Sequence, residues 1–353
     1  MVEKKVIKGN YEIVNLIDTI IDSDDSHFNE NIASLKRYLE SLSQERGNIL
    51  EMVNHNDIAF LKKMIKKIEE ARTVERKRYY LKSARKSISE IKTNGINDIN
   101  LNRWQEYDEI ITDSLWVIPR RERGGGHLGW YWGNFIPQIP RQILLRYSKK
   151  YDWIIDPFSG SGTTIIEAMR LGRNAVGIEI NGDIVKRSLE HIQKVMDNKE
   201  FHYEIITGDS LRLDYKGLME RLGIDNFDLA IVHPPYHNII KFSDNPQDFS
   251  NAPNLDEFLM RMEKLSSIML SILKRNGYLA LVIGDKYEMG QLFPLGFRTM
   301  DVFLKTGFRL KSIVVKNFEF TRGKNGQDEL WRYRALVGGY YVFKHEYIMI
   351  FQK

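Results

Sequence analysis

The sequence predicts an α/β fold: a Rossmann-like, largely parallel sheet covered by helices, preceded by an α-helical N-terminal region. Two observations lead there. From about residue 150, short apolar runs alternate with helical stretches, as in "WIID" at 153, "AVGIEI" at 175, "YEIITGD" at 203, "FDLAIVHPP" at 227 and "GYLALVIGD" at 277. Residues 1 to about 100 instead carry apolar positions at helical spacing, such as Ile58, Leu61, Ile65 and Ile68, with no proline before Pro119.

The chain has 353 residues, more than one compact domain usually needs, so a core domain with an appendage is expected. The opening "MVEKKVIKGNYEIV" has no long apolar run, and no apolar stretch approaches 18 residues. Neither export nor a membrane partner is expected, and a cytoplasmic location follows. In the N-terminal region the acidic "IDSDDS" at 21 to 26 contrasts with Lys62 to Lys92, which holds 12 Lys/Arg against 4 Glu. Such a run is either a solvated helical face or an arm that lies against phosphates. The net charge of +5 and pI of about 9.0 permit a nucleic-acid partner without demanding one.

Next comes "RRERGGGHLGWYWGNFIPQIP" at 120 to 140, too rich in Gly, Trp and Tyr for an ordinary linker and expected to form a loop near a ligand. The segment "WIIDPFSGSGTTIIEAMRLGRNAVGIEI" then reads as strand, glycine turn, helix, strand. Gly160 and Gly162 allow a sharp turn and close approach to a ligand, and the Ser-Gly-Thr-Thr run opens a helix whose free amides face it. Position 165 is Ile, where a dinucleotide fingerprint wants a third glycine, and no Gly-Lys-Ser/Thr occurs. Asp156 ends the first strand. Glu179 ends the second, in the usual place for a carboxylate that accepts two ribose hydroxyls. Asp209, in "TGDS", can receive an adenine amino group or cap the next helix. Together these acids favour an adenosine ligand that carries no phosphate.

At this point the sequence resembles the S-adenosylmethionine-dependent DNA amino-methyltransferases, the cytosine-N4 and adenine-N6 enzymes of restriction-modification systems. "DPFSGSGTT" is similar to their motif I, "GIEI" to motif II, "GDS" to motif III and "HPPY" to catalytic motif IV. "NFIPQIPRQILLRYS" resembles motif X, and "HEYIMIFQK" resembles the family's final strand. The resemblance covers about residues 130 to 353 and implies a methyltransferase sheet and S-adenosylmethionine as cofactor. It implies cofactor contacts by Phe135, Asp156, Phe158, Gly160, Ser161, Gly162, Thr163, Thr164, Glu179 and Asp209, with no metal. The expected division is a helical, basic region over 1–125, the candidate for DNA recognition, and a catalytic domain over 126–353.

In this family an exocyclic amino group is methylated after its two hydrogens are bound by acceptors, which makes the nitrogen more tetrahedral. By resemblance the acceptors are His233 and the carbonyl of Pro234. Pro234 and Pro235 fix the backbone and offer no competing amide hydrogen, and Tyr236 supplies a face for a flipped-out base. His233 departs from the common Asp, Asn or Ser. A neutral imidazole can accept one hydrogen bond and a protonated one cannot, so pH sensitivity through the histidine range is expected. The chain has no cysteine, which excludes disulfides and the covalent route to 5-methylcytosine. Adenine enzymes of the family mostly carry Asp or Asn at the first motif position, so cytosine-N4 is favoured.

Double-stranded DNA is the expected partner; a restriction endonuclease encoded nearby is compatible with the sequence, which does not decide it. Asp285 and Lys286 are expected either to border the cleft or to pack and cap. Lys316, Arg322, Lys324, Arg332 and Arg334, interleaved with Phe318, Phe320, Trp331 and Tyr333, form a candidate DNA-facing loop. Base reading falls to the basic N-terminal helices or, second, to the loop at 237–256. The rival readings are a methyltransferase acting on RNA or on a protein glutamine, and a non-catalytic nucleic-acid-binding protein that senses the cofactor.

Overall fold

The computed structural model describes residues 3–6, 11–44, 55–122, 124–127, 129–196, 200–288, 290–318 and 328–353. It divides into two compact units, Met1–Asp108 and Glu109–Lys353. In the first, β1 (Glu3–Val6) and the helices α1 (Tyr11–Asp22), α2 (Asp25–Gln44), α3 (His55–Glu70) and α4 (Val74–Ser89) precede β2 (Glu90–Thr93), which pairs antiparallel with β1. The apolar stripes read at helical spacing meet here: Ile13, Ile17, Phe28, Leu35, Leu61, Ile68, Leu81 and Ile88 form one buried cluster. The helical expectation for this region therefore needs one amendment, the short strand pair at its two ends.

The second unit begins earlier than the boundary expected at 125/126. Its β3 (Leu115–Trp116) pairs with a strand near the end of the chain, so residues from 109 onward belong with the sheet. There follow α5 (Gln138–Tyr147), β4 (Trp153–Asp156), α6 (Thr163–Arg170), β5 (Asn174–Glu179), α7 (Gly182–Val195), β6 (Tyr203–Thr207), α8 (Tyr215–Leu222), β7 (Phe227–Val232), α9 (Leu255–Ile272) and β8 (Leu273–Ile283). The short pair β9 (Lys286–Glu288) and β10 (Gln291–Phe293), then α10 (Leu295–Lys305), β11 (Arg309–Asn317), α11 (Asp328–Gly338) and β12 (His345–Gln352) complete it.

The sheet has eight strands in the order β3-β11-β12-β8-β7-β4-β5-β6. From β6 to β8 all neighbours run parallel, and β12 enters antiparallel to both β8 and β11. Leu229, Ala230, Ile231 and Val232 of β7 are all buried, as expected of a strand covered on both faces. This is a Rossmann-like α/β fold, as the alternation of apolar runs and helices predicts. The chain order reverses at β4: β5 and β6 lie to one side, β7 and β8 to the other. In such a sheet the carboxyl ends of the strands at the reversal open a crevice for ligand.

Candidate active site

At the end of β4 the backbone turns at Gly160 and Gly162, both at positive φ (49° and 78°), and α6 starts immediately after. The Gly160 amide donates to Glu179 Oε2 at 3.0 Å and the Asn181 amide to Glu179 Oε1 at 2.9 Å. The carboxylate at the end of β5 thus holds the glycine turn. It does so without exhausting its four acceptor positions. Asp156 is buried and takes the Phe158 amide at 2.9 Å. Burial pushes its carboxyl up to about 7, and burial also raises Glu179.

A cavity of about 730 Å³, including its open mouth, lies over this turn. Its lining includes Phe135, Asp156, Phe158, Gly160, Ser161, Thr163, Thr164, Glu179 and Asp209, together with His233, Pro234 and Pro235. Every expected cofactor residue but Gly162 therefore faces one space. Gly162 serves from behind: a Cβ there would sit 2.8 Å from Ile192. Asp209 plays both parts foreseen for it, since Oδ1 accepts the Leu211 amide at 2.9 Å while Oδ2 makes no hydrogen bond and lies 3.4 Å from Arg212.

The fit to a cationic nucleoside such as S-adenosylmethionine can be judged from these groups. Two buried carboxyls held in a raised state would be relieved by a sulfonium or ammonium and by ribose hydroxyls, and the unbonded Asp209 oxygen waits for a donor. The donor set suits the group.

Motif X and its approach were undervalued by the sequence. Asn134 donates to Ser161 Oγ at 2.6 Å and accepts from Thr163 Oγ1 at 2.7 Å, tying the 120–140 loop to the glycine turn. Tyr131 covers Gly160 and stacks on Phe242 with centroids 5.8 Å apart. The loop is anchored by His127, fully buried, whose Nε2 meets Glu167 Oε1 at 2.6 Å. No pattern flagged Tyr131, Asn134, Phe242 or Phe249 individually, because their partners lie far away in sequence.

A second, wider cleft adjoins the cavity and shares Tyr131, Gly133, Asn134, Phe135, His233, Pro234, Pro235 and Phe242 with it. Tyr236 lines this cleft, as do Arg120, Trp132, Lys316, Phe318 and Glu346. The His233 ring lies 4.7 Å from that of Phe135 and edge-on to Tyr236 at 5.6 Å. Burial pushes His233 down to about 4, with Glu346 opposing and Lys316 adding to the shift. The Tyr236 hydroxyl donates to Glu346 Oε2 at 2.9 Å, and Lys316 Nζ meets Glu346 Oε1 at 3.1 Å.

One expectation changes, and one pair of alternatives is decided. Lys316 is buried in that ion pair and is no phosphate contact. Asp285 accepts the Gly296 amide at 2.9 Å at the start of α10, and Lys286 is buried against His237 and Asn238, so both take the packing and capping role. The 237–256 loop supplies Phe242, Gln247, Asp248 and Phe249 to the cofactor cavity wall and Ile239, Ile240 and Phe242 to the open cleft. Phe320, Arg322 and Lys324 lie outside the described residues. Arg332, Tyr333 and Arg334 are exposed on α11.

A family model described as DNA methylase, N6_N4_Mtase, matches residues 6–190, more than half of the chain. The chain belongs to this family. Its cofactor is S-adenosylmethionine, in keeping with the carboxylate-lined cavity. The type II methyltransferase M.MjaII of Methanocaldococcus jannaschii is 49% identical over 51 residues, 14% of this chain and 10% of its own length. The type II methyltransferase M2.LlaDCHI of Lactococcus lactis subsp. cremoris is 41% identical over 56 residues, 16% and 21% of the two chains. The tRNA (guanine(10)-N2)-dimethyltransferase of M. jannaschii is 25% identical over 169 residues, 46% of this chain and 42% of that one. The chain thus spans between 10% and 42% of the length of these relatives. TrmN from Thermus thermophilus overlaps 62% of this chain and 49% of its own, at 14% identity and a TM-score of 0.38. At that score the fold rests on the strand order itself. No helix among the described residues is long and apolar enough to cross a membrane.

Proposed function

We propose that the protein transfers a methyl group from S-adenosylmethionine to the exocyclic amino group of a base flipped out of double-stranded DNA, cytosine-N4 ahead of adenine-N6. One observation carries the reading: the cofactor cavity and the open cleft meet at His233, Pro234 and Pro235, the motif that binds an amino group in this family. When bound, the cofactor supplies an electrophilic methyl on a sulfonium. The residues of Asp156 to Thr164, with Glu179, Asp209 and Phe135, hold it. His233 and the Pro234 carbonyl accept the two amino hydrogens, freeing the nitrogen lone pair, and Tyr236 borders the entering base. A ring nitrogen held near 4 is a poor proton sink, so His233 orients the amino group and the surplus proton leaves to solvent.

Cytosine-N4 is preferred because adenine enzymes of the family mostly carry Asp or Asn where this chain has His233. The DNA methylase family and the type II names of two relatives favour DNA, and action in the cytoplasm beside a cognate endonuclease belongs to the same proposal. A second reading, an amino group in RNA, is favoured by the longer match to the tRNA dimethyltransferase. Single-turnover transfer of labelled methyl to duplex DNA and to tRNA, with the product nucleoside identified by mass spectrometry, decides between them. N4-methylcytosine in DNA is expected, and 5-methylcytosine would exclude the mechanism.

A further inference from the structure

His233 Nε2 lies 3.3 Å from the Tyr236 hydroxyl oxygen, which lies 2.9 Å from Glu346 Oε2. Lys316 Nζ meets the other Glu346 oxygen at 3.1 Å. A phenol has one hydrogen to give. Paired with a lysine ammonium, Glu346 is the anionic acceptor and the closer one, and charge-assisted bonds of this kind are about twice as strong as neutral ones. The hydroxyl hydrogen therefore goes to Glu346. What Tyr236 then turns toward Nε2 is an oxygen lone pair, so Nε2 must carry the hydrogen of the imidazole. In a neutral ring the other nitrogen is then the acceptor. Nδ1 makes no hydrogen bond among the described residues, and the ring lines both cavities.

We propose that Tyr236 and Glu346 are positioning residues that hold His233 in its Nε2–H tautomer, keeping Nδ1 as the acceptor for a substrate amino hydrogen. The inference rests on the reaction proposed above. It accounts for how His233 can serve where an Asp is frequent: a carboxylate is an acceptor however it turns, whereas an imidazole can present a donor instead. In the Nδ1–H form His233 would oppose one N–H with another. Burial favours the neutral ring, which is the only form that has a tautomer to choose. Lys316 holds the other Glu346 oxygen and leaves Oε2 to take the Tyr236 hydrogen.

Nitrogen–proton correlation NMR on protein labelled at its 8 histidines reads the tautomer without substrate or turnover, with the His233 signals assigned by their loss in His233→Asp. The Nε2–H form is expected in the wild type and a mixture of tautomers in Tyr236→Phe, which keeps the ring and removes the oxygen. A wild-type His233 that is mainly Nδ1–H overturns the proposal. In single turnover, Tyr236→Phe should lower methyl transfer about tenfold, the scale of one hydrogen bond to a reacting group, with the affinity for S-adenosylhomocysteine unchanged. The same change should cost clearly less in His233→Asp, where no tautomer is selected. An equal loss in both backgrounds would reduce Tyr236 to packing and overturn the proposal. If wild-type protein methylates no nucleic acid, the proposed reaction fails while the NMR result still stands for or against the tautomer, so the two failures are distinct.

Discussion

A histidine that works as an acceptor stops working when it is protonated, and His233 resists protonation down to about 4 because burial disfavours its charged form. Methyl transfer should therefore stay level from pH 8 to about 5 as far as this group is concerned, and fall below that. The expectation from the residue alone was a decline near the ordinary value of about 6.5. A single-turnover pH profile that bends near 6.5 would mean a hydrated ring. His233→Ala should cost roughly 10²-fold in the same assay and leave cofactor affinity intact. Asp156 behaves with the opposite sign. Its carboxyl sits at about 7 in the free protein, and a cationic ligand favours the ionised form, so S-adenosylmethionine affinity should fall toward tenfold per pH unit below about 7. Calorimetry on Asp156→Asn should find weaker binding without that slope. Both residues are written in recognisable motifs, yet neither shift is. The environment of His233 comes from Phe135 and from Glu346, at the far end of the chain, and burial of Asp156 is set by the whole switch point.

The glycine turn works because two neighbouring elements leave it room. A Cβ on Gly160 would lie 2.8 Å from the Tyr131 ring at a φ of 49°, so Gly160→Val should abolish S-adenosylhomocysteine binding in calorimetry while the protein stays folded. Gly177, within β5, is subtler: its φ is ordinary, but a Cβ would stand 2.4 Å from Ser159 Oγ. Gly177→Ala should push the turn outward and weaken binding by about tenfold, a cost of about 1.4 kcal/mol, and Ser159→Ala in the same protein should restore much of it. The strands that build this site were legible because continuous apolar runs ending in Asp156, Glu179 and Pro234 admit few other readings. Strand β11 was not, since Arg309 to Asn317 alternates charge with apolar residues and gains its strand character from pairing with β12. The 120–140 loop was expected near a ligand through Phe135, but the sequence could not place the 237–256 loop on the same cavity, because contacts such as Tyr131 on Phe242 are tertiary.

For the whole molecule, the open question is what the basic stretch from Lys62 to Lys92 touches. Part of it is already spent within the N-terminal unit: Arg78 pairs with Asp25 at 2.5 Å, and Arg85 Nη2 meets Asp18 Oδ2 at 2.8 Å. Arg78 thereby meets the acidic segment that contrasted with it in the sequence, and Arg85 meets Asp18 ahead of that segment. Lys63, Lys66, Arg72, Lys82 and Lys86 are exposed, on α3, on α4 and between them. The two groups make opposite predictions. If the exposed set faces phosphates, DNA affinity falls steeply with salt, and each contact removed flattens the log–log slope by about 0.9. Reversing Lys63, Lys66, Lys82 and Lys86 to Glu should then weaken binding and flatten that slope, with thermal stability within about 0.5 kcal/mol of wild type. Reversing Arg78 and Arg85 should instead lower the melting temperature, because each leaves a carboxylate facing a like charge. Fluorescence anisotropy across a salt series, paired with melting curves, separates the two. An unchanged slope in the lysine variant would return the stretch to a solvated face and leave base reading to residues of the catalytic unit, with exposed Arg332 and Arg334 on α11 the next to be reversed.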